Sequence, residues 1–226
     1  MSCILPTVDG KEFVARLTAE MHELFSQLGE TETLEAESDG NVDVVTLLKL
    51  ALQSELEASE IAALWMPTTA EIDAKLLLAH QCSDEMKHYD LIARRLGVLG
   101  EDPAALDPLA GGYSALYHYL QPLRTTVERV AAGVFAAEAI AEVRNAQFIA
   151  FCRSVGDDET ARLYAEIIQP EESEHHRMAA ALLAAHCITP ELQELAAGAT
   201  RNTLTIADEL RTLAEKTTGL SNIPVS

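Results

Sequence analysis

Two stretches of the chain decide the fold that we expect: AKLLLAHQCSDEMKH at residues 74–88 and ARLYAEIIQPEESEH at residues 161–175. They are copies of one pattern at an offset of 87 positions (161 − 74), and each copy ends in a Glu-x-x-His pair. The pairs are Glu85 with His88 and Glu172 with His175. Residues three apart lie on the same face of an α-helix, so each pair brings a carboxylate and an imidazole together.

The same offset indicates two further carboxylates. Glu55 and Glu142 are 87 positions apart (142 − 55), and each precedes the glutamate of its Glu-x-x-His pair by 30 positions (85 − 55 and 172 − 142). If the helices turn back near Thr69 and Gly156, a rise of about 1.5 Å per residue brings these partners to within roughly one helical turn. Glu138 lies one turn before Glu142 on the same stripe. We prefer Glu142 as the ligand. Three roles are kept for Glu138: the ligand in place of Glu142, an additional ligand, or a group outside the coordination sphere.

This set of side chains is typical of a metal site in a helical bundle. A Glu from each of two helices, with a Glu-x-x-His pair from each of the other two, binds two iron or manganese ions. Four buried carboxylates need compensating charge, and two divalent ions supply it. Asp84 and Glu171 directly precede the pair glutamates. We expect each of them to accept the free N–H of the histidine on the opposite helix, which orients that ligand.

Composition favours an all-α protein and excludes several classes of function. The 226 residues include 36 Asp and Glu but only 16 Lys and Arg, giving a net charge of −20, and 48% are hydrophobic. This charge argues against nucleic acids and anionic membranes as partners, and the hydrophobic fraction against a disordered acidic chain. Four scattered cysteines without a CxxC pair, no visible secretory signal and no long apolar run predict a cytoplasmic protein.

Six long helices follow from the spacing of apolar residues and from the helix-breaking residues. We expect them at about 10–29, 43–65, 70–96, 123–153, 158–186 and 190–216, within one domain that spans residues 1–226 and has its bundle core at about 43–187. Pro170 lies inside the fifth helix and predicts a kink or a restart there, because proline cannot donate the backbone hydrogen bond.

These residues resemble the ferritin-like di-iron carboxylate superfamily, whose members carry Glu, Glu-x-x-His, Glu and Glu-x-x-His in chain order. The resemblance covers about residues 44–186 and implies an antiparallel four-helix bundle with extra N- and C-terminal helices. Carried over residue by residue, it implies two bound irons, although the same donors suit manganese or a mixed pair. The implied ligands are Glu55, Glu85, His88, Glu142, Glu172 and His175, with Glu138 as the alternative.

The resemblance implies an oxidoreductase of the O2-activating oxygenase or hydroxylase type, acting on a small organic substrate and supplied by an electron-donor protein. An iron-binding ferroxidase or a peroxide scavenger similar to rubrerythrins or bacterioferritins is the second hypothesis. A metal-free helical interaction module is the third. The chain lacks the CxxC pairs of a rubredoxin module, and Ile92 stands where reductase small subunits carry a radical tyrosine. Bundles with an additional N-terminal helix often dimerise, so a homodimer is one expected assembly, and the oligomeric state stays open.

Overall fold

The computed structural model describes residues 9–27 and 43–218, without the side chains of residues 24, 26, 27 and 208–218. Within these residues the protein is helical and contains no strand, which confirms the predicted all-α class. No helix in this part of the chain is long and apolar enough to cross a membrane. Apart from two short 3-10 helices, the described residues form seven helices: α1 (Gly10–Gln27), α2 (Val44–Trp65), α3 (Ile72–Val98), α4 (Ala115–Leu120), α5 (126–154), α6 (158–186) and α7 (Pro190–Thr218).

Helices α2 and α3 form one antiparallel hairpin, and α5 and α6 form a second one that packs against it. These four helices are the bundle. Helix α1 packs on α6, and α7 packs on α5, so the terminal helices flank the second hairpin. This arrangement is the expected bundle with extra helices at both ends. The predicted end of the first helix at Gly29 lies outside the described residues.

Three of the four bundle helices, α2, α5 and α6, begin where a side chain satisfies a free backbone N–H group. The side chain of Asp43 accepts from the backbone N–H of Thr46 at 2.8 Å and caps α2. Asp157 caps α6 in the same way, accepting from Thr160 at 3.0 Å. Helix α5 starts with a capping box between Thr125 and a glutamate three residues later. Polar residues ahead of apolar stretches therefore set the start of each hairpin.

The core consists of two apolar clusters with a polar layer between them. Along α2, Leu48 and Leu52 belong to one cluster and Ile61 to the other, and Glu55 lies between them. On α3 and α6, Glu85 and Glu172 also lie between residues of the two clusters, and the acidic side chains of the two hairpins meet at one level. Burial of the apolar residues on both sides fixes the helices around this layer, at about 25 cal/mol for each Å² removed from water.

An arginine of the opposite hairpin holds each of the two connections. Arg129 of α5 donates to the Oγ1 atom of Thr69 at 3.0 Å in the connection between α2 and α3. Arg95 of α3 contacts Asp157 at 2.6 Å and the Thr160 hydroxyl at 2.8 Å, where α5 turns into α6. The first clamp uses neutral oxygen atoms and the second uses a carboxylate.

Each helix of the second hairpin contains one π-helical segment, at Ala131–Ala136 in α5 and at Tyr164–Ile168 in α6. Such wider turns are rare in proteins as a whole, but those that occur often lie at functional sites. Pro170 follows the second segment, and α6 continues through it as an α-helix to His186. The α-helical pairing starts again at Gln169 after the π segment, with Pro170 in its first turn, so the chain stays helical and the restart predicted at this proline is present.

Side chains of three neighbouring helices donate hydrogen bonds to the backbone carbonyls of the segment Ala131–Ala136. Such bonds compensate for the changed backbone pairing of a wider turn. Gly133 in this segment lets the Trp65 ring lie against the backbone, because a Cβ atom there would be 2.5 Å from Cη2 of the ring. The donors and acceptors are Thr200 to Ala131, Thr203 to Ala132, Gln81 to Gly133 and His176 to Phe135, at 3.5, 3.3, 3.4 and 2.8 Å.

Candidate metal centre

The two Glu-x-x-His pairs meet in the polar layer and form two overlapping groups with carboxylates of α2 and α5. In each group, one ligand atom from every residue lies within 4.8 Å of the others, and all the side chains are buried. Glu85 and Glu172 belong to both groups, so the two candidate metal positions lie side by side. The first group is Glu55, Glu85, His88 and Glu172, and the second is Glu85, Glu138, Glu172 and His175.

Several donor atoms of these groups are buried without a hydrogen-bond partner. Both oxygens of Glu172 are buried without one, as are Oε2 of Glu55 and Oε1 of Glu85. The imidazole Nδ1 of His88 lies 3.4 Å from oxygens of Glu55, Glu85 and Glu172. Two donors that bind one ion at about 2.1 Å are separated by roughly 3 to 4 Å, so this spacing fits a shared cation. The orphaned buried atoms and the mixture of oxygen and nitrogen donors both fit a pair of transition-metal ions.

The second group has the same features. Nδ1 of His175 is 3.5 Å from Glu85 and 3.5 Å from Glu138, and it lacks a hydrogen-bond partner. Oε2 of Glu138 is also buried and unpaired. An unpaired polar atom in the interior costs free energy that a bound cation would recover. Each Glu-x-x-His pair therefore brings its imidazole to a different candidate metal position.

The electrostatics of the layer indicate a deficit of positive charge. Burial raises the pKa of the Glu55 carboxyl well above its usual value. Burial also raises the pKa of Glu138 well above its usual value, and the charge of Glu172 adds to this effect. Burial alone would lower the pKa of the His88 imidazole, but contacts with Glu172 and Glu55 outweigh it and raise that pKa. These directions are those of a buried layer that is rich in acidic side chains, and two divalent ions would balance its charge.

Acidic side chains orient both imidazoles from outside. Nε2 of His88 is 2.8 Å from Glu171, and Nε2 of His175 is 3.1 Å from Asp84. Lys87 joins these two carboxylates, at 2.6 Å from Glu171 and 3.0 Å from Asp84. Burial alone would lower the pKa of Lys87, but the two contacts outweigh it and raise that pKa. Each imidazole thus presents Nδ1 to a metal position and Nε2 to a carboxylate.

The structure brings Glu138 into the centre and leaves Glu142 out, against the preference drawn from the repeat. Glu138 is 2% exposed, whereas Glu142 is half-buried and belongs to neither group. The prediction counted residues from each turn, treated the two turns as equivalent, and located a residue along the helix only to within about one helical turn. Glu138 and Glu142 are separated by that distance. The connections differ: six residues join α2 to α3 at 66–71, and three join α5 to α6 at 155–157. The backbone oxygen of Glu142 accepts from Gln169 at 3.0 Å.

Two residues of the centre were missed in the sequence. Gln81 donates to Oε1 of Glu138 at 2.7 Å and is 2% exposed. It precedes Glu85 by one helical turn, so a polar residue on the ligand stripe was the available signal. Tyr164 is 1% exposed, and its hydroxyl has no hydrogen-bond partner. Burial raises its pKa well above the usual value, and the charge of Glu55 adds to the effect. Nothing in the sequence distinguishes this tyrosine from an ordinary core residue.

Comparison with known proteins is consistent with this geometry. A family model described as a ferritin-like domain matches residues 62–186, which is more than half of the 226-residue chain. The match includes both Glu-x-x-His pairs and Glu138 and begins after Glu55. A search of curated proteins finds no match. The matched length, the helical bundle and the buried carboxylate–histidine layer lead to one conclusion: the chain belongs to the family of ferritin-like domains.

Proposed function

We propose that the protein binds two iron ions in the polar layer and uses them to activate O2 for the oxidation of a small organic substrate. The observation that carries this proposal is the pair of buried groups that share Glu85 and Glu172. The proposed ligands are Glu55, Glu85, His88, Glu138, Glu172 and His175. When bound, two irons supply the redox chemistry that protein side chains lack, and manganese or a mixed pair would suit the same donors.

The remaining residues of the centre have supporting roles in this proposal. Gln81 holds Glu138 by its 2.7 Å hydrogen bond, so this carboxylate keeps its direction in the apolar interior. Asp84 and Glu171 hold the imidazoles, which fixes their tautomers and strengthens them as ligands. Burial of the donor set keeps bulk water away from the reacting centre. An electron-donor protein would return the centre to its reduced state after each turnover.

The first test of this proposal is the metal content of the protein. Anaerobic titration with Fe(II) should bind two irons per chain, and exposure to O2 should then produce the near-ultraviolet absorption of ferric iron. Glu172→Ala should abolish both, because Glu172 belongs to both groups. Glu166→Ala is the matched control on the exposed side of α6 and should bind iron as the native protein does. Native protein without stoichiometric iron would overturn the proposal.

Membership in the ferritin-like family favours a second candidate function, in which iron itself is the substrate and is oxidised by O2 or peroxide. The two functions differ in what happens to excess Fe(II). A ferroxidase continues to consume O2 with Fe(II) as the only reductant and accumulates ferric iron well beyond two per chain. An oxygenase stops after two irons and needs an added electron donor. Measurement of O2 uptake against Fe(II) added separates them.

A further inference from the structure

One lysine joins the two hairpins at the solvent-facing side of the centre. Nζ of Lys87 in α3 is 2.6 Å from Oε2 of Glu171 in α6 and 3.0 Å from Oδ1 of Asp84 in its own helix. The same oxygen of Glu171 is 2.8 Å from Nε2 of His88. The other oxygen of Asp84 is 3.1 Å from Nε2 of His175. These contacts run from one candidate ligand imidazole to the other, and the lysine is their midpoint.

The lysine is present in only one copy of the repeat. The first copy reads EMKH at residues 85–88, and the second reads ESEH at residues 172–175. The offset of 87 positions carries Lys87 to Glu174 (87 + 87), which accepts from Nε of Arg177 at 2.9 Å. A single cation of the first hairpin therefore contacts the supporting carboxylates of both imidazoles.

The two carboxylates differ in how much they depend on this lysine. Asp84 uses separate oxygens for Lys87 and for its histidine, and it has a further contact with Nδ1 of His80 at 3.1 Å. The second copy has Ile167 at the position that corresponds to His80 (80 + 87). Glu171 presents one oxygen both to Lys87 and to its histidine, and its side chain is 32% exposed against 16% for Asp84. Loss of the lysine should therefore affect Glu171 more.

Two effects of Lys87 on a bound cation have opposite signs. Its positive charge repels a metal ion, and solvent screens this repulsion because 43% of the side chain is exposed. Its hydrogen bonds hold the two carboxylates that orient the imidazoles. Losing a partner that supports a ligand typically weakens metal binding by about 10- to 100-fold. This second effect acts through short contacts on two buried imidazoles, so we expect it to be the larger one.

We propose that Lys87 is a positioning residue for both metal positions. Its ammonium group holds Glu171 and Asp84 in place, and these carboxylates fix the directions of the two imidazoles. One side chain outside the ligand set thereby sets the metal affinity of both positions, and its contribution is larger at the position of His88. This role rests on the proposed binding of two metal ions, and it requires neither iron nor O2.

The test is a Co(II) titration followed by visible spectroscopy. Lys87→Met should weaken binding by roughly tenfold, with unequal losses for the two equivalents. Lys87→Arg should keep most of the native affinity, because a guanidinium can also donate to two carboxylates. Lys49→Met is the matched control, since Lys49 has the same 43% exposure and contacts Glu101 at 2.8 Å. This variant should bind Co(II) as the native protein does.

A double-mutant cycle with Glu171→Gln separates positioning from a purely structural role. If Lys87 acts through Glu171, Lys87→Met should cost less affinity in the Glu171→Gln background than in the native protein. A lysine that only joined the hairpins would lower the urea stability of the metal-free protein and leave the two losses additive. Additive losses, or tighter binding in Lys87→Met, would overturn the proposal.

The titration also separates this proposal from the preceding one. Native protein that binds no stoichiometric Co(II) would overturn both the metal centre and the role of Lys87. Two equivalents that bind equally well to the native protein and to folded Lys87→Met would overturn the role of Lys87 alone. Circular dichroism establishes that each variant is folded before its affinity is compared.

Discussion

The two hairpins of the bundle contribute the same kinds of side chain through different backbones. In the first, α2 and α3 are uninterrupted α-helices, and Glu55 precedes Glu85 by 30 positions (85 − 55). In the second, each helix contains a π-helical segment, and Glu138 precedes Glu172 by 34 positions (172 − 138). The Glu-x-x-His spacing is therefore preserved within one helix, whereas the spacing between two helices depends on turns and helix type.

The largest expected effect concerns the carboxylate that differs between the hairpins. We predict that Glu138→Gln weakens binding of the second metal ion by more than the roughly 10- to 100-fold typical of losing a partner that only supports a ligand. Glu142→Gln, one turn away on the same helix, should leave the affinity unchanged. Co(II) titration of both variants measures the difference. Metal loss in Glu142→Gln with normal binding in Glu138→Gln would show that Glu142, the repeat equivalent of Glu55, is the ligand.

The next effect concerns the close contact between the hairpins at Gly133. Gly133→Ala should destabilise the protein by about 2–3 kcal/mol, because its Cβ would lie 2.5 and 2.7 Å from two atoms of the Trp65 ring. Gly198→Ala in α7 is the control, since a Cβ there meets nothing within 4 Å. It should stabilise the helix by about 0.5–1 kcal/mol. Urea unfolding compares the two, and equal effects would show that the backbone of the π segment moves freely.

A smaller effect should follow when the π segment loses one of its side-chain donors. Thr203→Val keeps the shape of the side chain but leaves the Ala132 carbonyl without the hydroxyl that now lies at 3.3 Å. We expect a loss of about 1–2 kcal/mol in the free energy of unfolding. Thr205→Val removes an exposed hydroxyl that bonds to the carbonyl of Arg201 in its own helix, and it should cost little. If both variants have native stability, the donors do not support the wider turn.

The smallest effect concerns pH and the two arginine clamps. Burial alone would raise the pKa of Asp157, but hydrogen bonds from Thr160 and the charge of Arg95 outweigh it and lower that pKa. A lowered pKa stabilises the fold above the ordinary value of 3.8, and this contribution is lost as the pH falls through the folded-state pKa. Asp157→Asn should therefore cost about 1 kcal/mol at pH 7 and less at pH 3.

The clamp in the first hairpin provides the comparison for this pH effect. Arg129 binds the Thr69 hydroxyl and no carboxylate of that connection. Thr69→Val should therefore cost the same free energy at pH 7 and at pH 3. Urea unfolding of both variants at the two pH values measures the contrast, and a pH-dependent cost at Thr69 would contradict it.

The sequence predicted the all-α class, the bundle and the level of the centre because all three depend on local periodicity and on an exact offset between copies. Glu55 could be found by counting along uninterrupted helices. Glu138 could not be distinguished from Glu142 as the ligand. Counting residues across the connection between α5 and α6 locates a ligand only to within about one turn of helix. The π segments and Tyr164 had no local signal, since they depend on contacts with Trp65, α7 and Phe148 that only the assembled bundle supplies.

Glu85 and Glu172 belong to both groups of candidate ligands, and this sharing has a thermodynamic consequence for how metal ions would fill the centre. An ion in the first position would withdraw charge from two carboxylates that also face the second, so the two occupancies would be linked. The linkage is reciprocal: the first ion changes the affinity for the second by the same factor as the second changes the affinity for the first. Because one position takes its imidazole from α3 and the other from α6, a half-filled chain has two distinct forms. Their populations, and the shape of the binding isotherm, measure the cooperativity of the pair.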